Sequence, residues 1–146
     1  MEYQLSKDNY TISTKKSKLN IESVVLLLAQ TYWASERTKK IINLSIKNSL
    51  CFGLYDGEKQ IGFARVVTDY AIFAYLCDVI IAEEYRGKGL GKWLVESIML
   101  HPQLQGLKRW LLATRDAHGL YKQFGWRKVD PPENWMEIFN LGNNNP

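Results

Sequence analysis

Residues 83–92 read Glu83-Glu84-Tyr85-Arg86-Gly87-Lys88-Gly89-Leu90-Gly91-Lys92, with three glycines alternating with Arg86, Lys88 and Leu90. Without a Cβ, glycine lets the backbone curl and approach a ligand closely. A ring of N–H groups backed by a helix dipole makes an anion site, and Arg86, Lys88 and Lys92 add positive charge at its rim. A pyrophosphate is the natural guest. Spacing decides which kind. A Walker-type loop fails, because Gly91-Lys92 is followed by Trp93 and the position of its first glycine holds Arg86. A dinucleotide fingerprint fails too, because Lys92 stands where its third glycine belongs. What remains is Arg-x-x-Gly-x-Gly, filled by Arg86, Gly89 and Gly91.

A second chemical signal precedes that loop. Asp78 interrupts the otherwise apolar run 72–81, where a carboxylate is costly unless it is paired or needed. Two readings stand: amine binding or proton removal, and a carboxylate satisfied by backbone or an arginine. The segment Thr114-Arg115-Asp116-Ala117-His118 is rich in polar groups. There, His118 is a base or a surface residue, and Asp116 is expected to cap the following helix.

The elements that must position these residues follow from periodicity. Residues 10–13 could form a short first strand. Asn20 is a plausible N-cap for a helix carrying Ile21, Val24, Val25 and Leu28 at helical spacing. A second helix is expected from Ser35, carrying Ile41, Ile42 and residues 44–46. Residues 50–55, the turn Asp56-Gly57-Glu58-Lys59 and residues 61–68 read as a hairpin. Residues 72–81 suggest a strand buried on both faces. After the glycine-rich loop, Leu90, Trp93, Leu94 and Ile98 mark the inward stripe of a helix that His101-Pro102 closes. Residues 109–113 read as a short buried strand and 117–124 as a short helix stopped by Gly125. One or two final strands are expected at 126–129 and 135–139. The order gives a mixed α/β sheet in which at least one crossover joins parallel strands.

In that context the run 84–91 resembles the acyl-CoA signature of the GNAT superfamily. A second block, Ala117-His118-Gly119-Leu120-Tyr121-Lys122-Gln123-Phe124-Gly125-Trp126, resembles that family's later motif, in which Ala-x-x-x-Tyr precedes a Gly-aromatic pair. The resemblance covers residues 50–126. It implies a mostly antiparallel central sheet with a parallel, splayed strand pair and helices on both faces. It also implies acetyl-CoA as acetyl donor, held by Val79, Ile80 and Ile81 of the strand, by Arg86, Gly87, Lys88, Gly89, Leu90, Gly91 and Lys92 of the loop, and at Thr114, where relatives often carry asparagine. No metal is implied.

The implied reaction is direct attack by a primary amine, from a small molecule, an amino-acid-like compound or a peptide, within a ternary complex. Strand amides would polarise the thioester carbonyl. Tyr121 matches the tyrosine that often protonates the leaving thiolate; the alternative is an aromatic anchoring its helix. Asp78 is the second candidate catalytic residue. Polyamine-type relatives place a glutamate where this chain has Cys77, which argues against a strand glutamate as base. For the acceptor, Trp33, Asp69 and Asp78 are candidate contacts, with Tyr32, Glu36 and Tyr70 in reach of the same cleft. Trp33 as a core residue and Asp69 as a turn former are the competing readings. Arg37 and Arg65 could instead pair with an acceptor's carboxylate.

Composition bounds these readings. The 146 residues fit one domain, expected over 1–141, with 142–146 as a disordered tail. A mild net charge of +4, with lysines scattered in two groups, lacks the aromatic-interleaved basic stripe of a nucleic-acid binder. Cys51 and Cys77 sit in apolar runs and read as free thiols. The absence of a leader or a spanning segment leads to the expectation of a cytoplasmic protein with no membrane partner. Edge strands leave room for a homodimer. The alternative from another functional class is an acyl-CoA sensor of the same fold without turnover.

Overall fold

The computed structural model describes residues 2–140. The chain divides into two compact units, one ending at Leu112 and the other beginning at Ala113. The predicted tail, 142–146, lies outside the described residues.

The first unit is built on a six-stranded sheet in the order β1 to β6. Its strands are β1 (Gln4–Lys7), β2 (Tyr10–Ser13), β3 (Leu50–Asp56), β4 (Lys59–Thr68), β5 (Phe73–Ile81) and β6 (Arg109–Leu111). Every neighbouring pair is antiparallel except β5–β6, which is parallel. A parallel pair needs a long crossover, and α3 (Leu90–Met99) supplies it. β1 is a short, mostly exposed edge strand, and its polar sequence carries no alternating signal. The β3–β4 hairpin turns on Gly57, at φ 59°, as the Asp-Gly pair predicts.

Two helices precede the hairpin. α1 (Ile21–Ala29) is capped as expected, with the Asn20 side chain accepting from the Ser23 N–H. α2 (Lys39–Lys47) begins later than Ser35, because Thr38 is the residue whose hydroxyl accepts from the Ile41 N–H. Residues 32–36 form turns instead. Ser35 and Thr38 are both favoured cap types, so residue type alone did not single out Thr38.

Helices cover both faces of the sheet. Leu54, Gly62 and Ile81 share a face, since Gly62 pairs with both others and a Cβ on it would meet their side chains at 3.1 Å. α3 lies on that face, with Gly91 against Ile81. On the opposite face, the Cys51 thiol donates to the Ile46 carbonyl at the end of α2. Phe52, Ile61, Phe63, Leu94 and Ile98 are completely buried between these layers. Each such side chain contributes about 1.5–3 kcal/mol of transfer free energy. β5 is not buried on both faces throughout: Tyr75 is exposed and Cys77 half-buried, while Ala74 and Leu76 are buried.

The second unit contains α4 (His118–Lys122) and a single helical turn at Pro132–Asn134. The strands expected at 126–129 and 135–139 are not formed. Residues 130–140 are exposed, so the apolar side chains at 135–139 bury no face against the rest of their unit.

Candidate functional site

The geometry of β5 explains how it could present backbone to a ligand. Its pairing with β6 covers only Phe73–Arg109, Ala74–Trp110 and Tyr75–Leu111, so residues 76–81 run on past the last partner. On the other side, Ala82 N–H bonds to the Ile61 carbonyl at 2.8 Å, and Ile80 pairs with Phe63. Backbone groups alternate along a strand. Those of Ile80 therefore belong to the β4 ladder, whereas those of Val79 and Ile81 point to the edge that β6 leaves open. Ile80 thus departs from the expected trio: its amide is committed, and only Val79 and Ile81 can offer theirs.

Register breaks between Phe63 and Arg65, where β5 inserts an extra residue. Asp78 lies in this bulge at φ 58°, a left-handed conformation that aspartate tolerates better than most residues. The bulge aims its carboxylate at a cluster of donors. Arg37 Nη1 donates to both oxygens at 2.9 and 2.8 Å, Arg65 Nε to Oδ2 at 2.8 Å, and Trp33 Nε1 to Oδ1 at 2.9 Å. Arg65 Nη1 also donates to Ser49 Oγ at 2.8 Å. Burial works to raise the Asp78 pKa, but Arg37 and then Arg65 outweigh it and hold the carboxyl below its usual range. A carboxylate so held is a poor proton acceptor. The expectation of Asp78 as a base gives way to the paired-carboxylate reading, with Trp33 joined to it.

Beyond Ile81 the chain makes a helical turn at Glu83–Tyr85 and then the glycine-rich loop. Gly87 and Gly89 have φ of 80° and 77°, and an added Cβ would meet nothing within 4 Å. These glycines are needed for conformation, not for space. Gly89 caps α3, so the amides of Leu90, Gly91 and Lys92 open the helix without intrahelical acceptors. The Leu90 side chain is buried, so only its backbone can serve a ligand. Arg86 Nε donates to the Ile81 carbonyl at 3.1 Å, tying the loop to the end of β5. Tyr85 braces the other side: its hydroxyl donates to Asp56 Oδ2 at 2.7 Å, and Lys88 Nζ stands 5.3 Å from its ring centre. No sequence signal linked Tyr85 to Asp56.

Asp69 serves its turn. Its Oδ1 accepts from the N–H groups of Ala71, Ile72 and Phe73 at 2.9, 2.9 and 3.1 Å, and these bonds lower its pKa. The turn-former reading accounts for these contacts. In the second unit, the Tyr121 ring packs edge-on against Trp126, with centres 5.9 Å apart. Gly125, at φ 91°, follows α4 as expected. The cap expected of Asp116 is absent. Thr114 Oγ1 instead accepts from the N–H groups of Asp116 and Ala117 at 3.4 and 3.0 Å. His118 is exposed at the start of α4.

The family pattern for an acetyltransferase (GNAT) domain matches residues 47–128, more than half of the chain. The chain belongs to the GNAT acetyltransferase family. A solved GNAT-family protein from Xanthomonas campestris pv. campestris is 42% identical, covers 92% of this chain and 96% of its own, and superposes with a TM-score of 0.88. An uncharacterized N-acetyltransferase of Pyropia yezoensis is 30% identical, over 86% of this chain and 73% of its own length. A GNAT acetyltransferase from Elizabethkingia anophelis, solved with acetyl-CoA bound, is 20% identical with a TM-score of 0.66, covering 93% of this chain and 92% of its own. At that identity the likeness is one of fold.

Among the described residues of this GNAT chain, no group of three or more His, Cys, Asp or Glu could hold a metal ion. No helix among them is long and apolar enough to cross a membrane.

Proposed function

We propose that this GNAT chain transfers the acetyl group of acetyl-CoA to a primary amine within a ternary complex, as one transferase domain over residues 1–141. The observation that carries the reading is the open edge of β5 running directly into the Gly87–Gly89 loop and the start of α3. Such an edge suits an extended amide-bearing arm, and the loop with its helix start suits a pyrophosphate. The Val79 and Ile81 amides would hold the arm and polarise the thioester carbonyl as negative charge develops there. Arg86, Lys88 and Lys92 would neutralise phosphate charge.

Asp78 acts in this reading through the groups it fixes. It holds Arg37, Arg65 and Trp33 together at the β5 bulge, and the excess positive charge of the cluster favours the neutral, nucleophilic form of a nearby amine. Tyr121 is assigned the proton donated to the departing thiolate on the family pattern, with Thr114 a further donor-side contact. Trp33 is assigned to the wall of the acceptor site; Asp69 keeps only its turn.

The test is release of free thiol from acetyl-CoA in the presence of primary amines, with the acetylated product identified by mass. Release that depends on an amine supports the transferase reading. Acetyl-CoA binding without release for any amine supports the sensor instead.

A further inference from the structure

The Asp78 cluster holds more cation than it spends. Two guanidinium groups face one carboxylate whose side chain is 1% exposed. Asp78 accepts four hydrogen bonds, about the full capacity of its two oxygens. It has nothing left for a substrate ammonium. Arg37, by contrast, meets it through Nη1 alone. Its Nε and Nη2 groups form the planar fork that matches a carboxylate with two parallel bonds. No described residue occupies that fork, and the Arg37 side chain is 24% exposed, twice the value for Arg65. Trp33 and Tyr75, both part-exposed, flank the cluster: Trp33 bonds to Asp78, and Tyr75 feels the charges of Asp78, Arg65 and Arg37. Tyr32 stacks edge-on with Trp33 at 5.0 Å and is also exposed.

We propose that the Arg37 fork binds a carboxylate of the acceptor, so that the acceptor is an amino acid with a free carboxyl group and an aromatic or apolar side chain. Asp78 is then a positioning residue: it neutralises one of the two cations and engages Arg37 through Nη1, which leaves the Nε–Nη2 fork for the acceptor. The inference rests on the transferase reading and narrows it. Amines without an anionic group, and peptide N-termini whose carboxyl is an amide, meet an unsatisfied cation at the same place.

The experiment compares phenylalanine, phenylalaninamide and phenethylamine, which differ only at the carboxyl group, by calorimetric titration into the full chain saturated with CoA. Binding is compared because the three amines differ in basicity, which would confound rates. Phenylalanine is expected to bind about 10- to 100-fold more tightly than the amide, the range for a charge-assisted pair. Arg37→Lys keeps the charge and the contact to Asp78 but removes the fork, and should erase most of that preference. Arg37→Gln combined with Asp78→Asn removes both charges of that pair and should likewise erase the preference for the acid over the amide. Acid and amide binding equally to the wild type, or an unchanged preference in Arg37→Lys, overturns the inference. Failure of CoA itself to bind overturns the transferase reading instead.

Discussion

Replacing Asp78 by asparagine isolates the charge at the centre of the cluster. Asparagine tolerates the left-handed backbone at least as well as aspartate, so the φ of 58° adds little strain. It also keeps one acceptor oxygen for the Trp33 indole. What it removes is the counter-charge to Arg37 and Arg65, whose side chains are 24% and 12% exposed. Breaking a buried pair by deleting one partner costs about 3–5 kcal/mol. In a chain of this length each kcal/mol moves the midpoint by about 3 °C, so melting should fall on the order of 10 °C. A second substitution, Arg65→Gln, should cost less in this background than in the wild type, with a coupling above ~1 kcal/mol. Acid titration gives an independent reading. The folded Asp78 pKa lies below its ordinary value of 3.8, so its stabilisation is complete above that value and lost as pH falls through the folded one. The asparagine variant should lack that acid-side loss. A melting point within about 2 °C of wild type, together with a fall in turnover, would refute the structural assignment and return Asp78 to proton transfer.

Three further outcomes are expected. Tyr121→Phe should lower kcat by at least ~10²-fold with acetyl-CoA affinity retained, and full turnover would remove the tyrosine from the proton-donor role. Gly53→Ala should cost about 1–3 kcal/mol in urea unfolding, because the new Cβ would stand 2.3 Å from the hydroxyl oxygen of the buried Tyr55 ring; an unchanged midpoint would mean that the ring moves freely. Burial raises the Cys51 and Cys77 thiols to about 12 and about 11, so at neutral pH both should react with a disulfide reagent at least ~100-fold more slowly than free cysteine until the chain is unfolded.

The parts legible in the sequence were those whose cause is local. The Asp-Gly turn announced the hairpin, Asn20 announced α1, and the glycine spacing at 86–91 announced a tight loop opening a helix. What stayed hidden depends on distant partners. The bulge at Asp78 arises from register against β4, and Arg37 and Arg65 reach its carboxylate from 41 and 13 residues away. A lone aspartate in an apolar run signals a paired or working carboxylate, but not which. The polar edge strand β1 has no alternation to detect, and the apolar residues at 135–139 find no ladder. Before α4 the Thr114 hydroxyl accepts from the Asp116 and Ala117 amides, and no side chain caps the helix start, a local arrangement that the residue types did not announce.

The central claim is that the loop after β5 holds the pyrophosphate of acetyl-CoA. Calorimetric titration of acetyl-CoA into the wild type and into Gly89→Glu tests it most directly. A Cβ at Gly89 points into open space, so the variant carries only left-handed backbone strain of about 1–2 kcal/mol while placing a carboxylate at the helix start. Saturable binding by the wild type and at least ~10-fold weaker binding by a variant that remains folded are expected. No binding by the wild type, or equal binding by both, would contradict it.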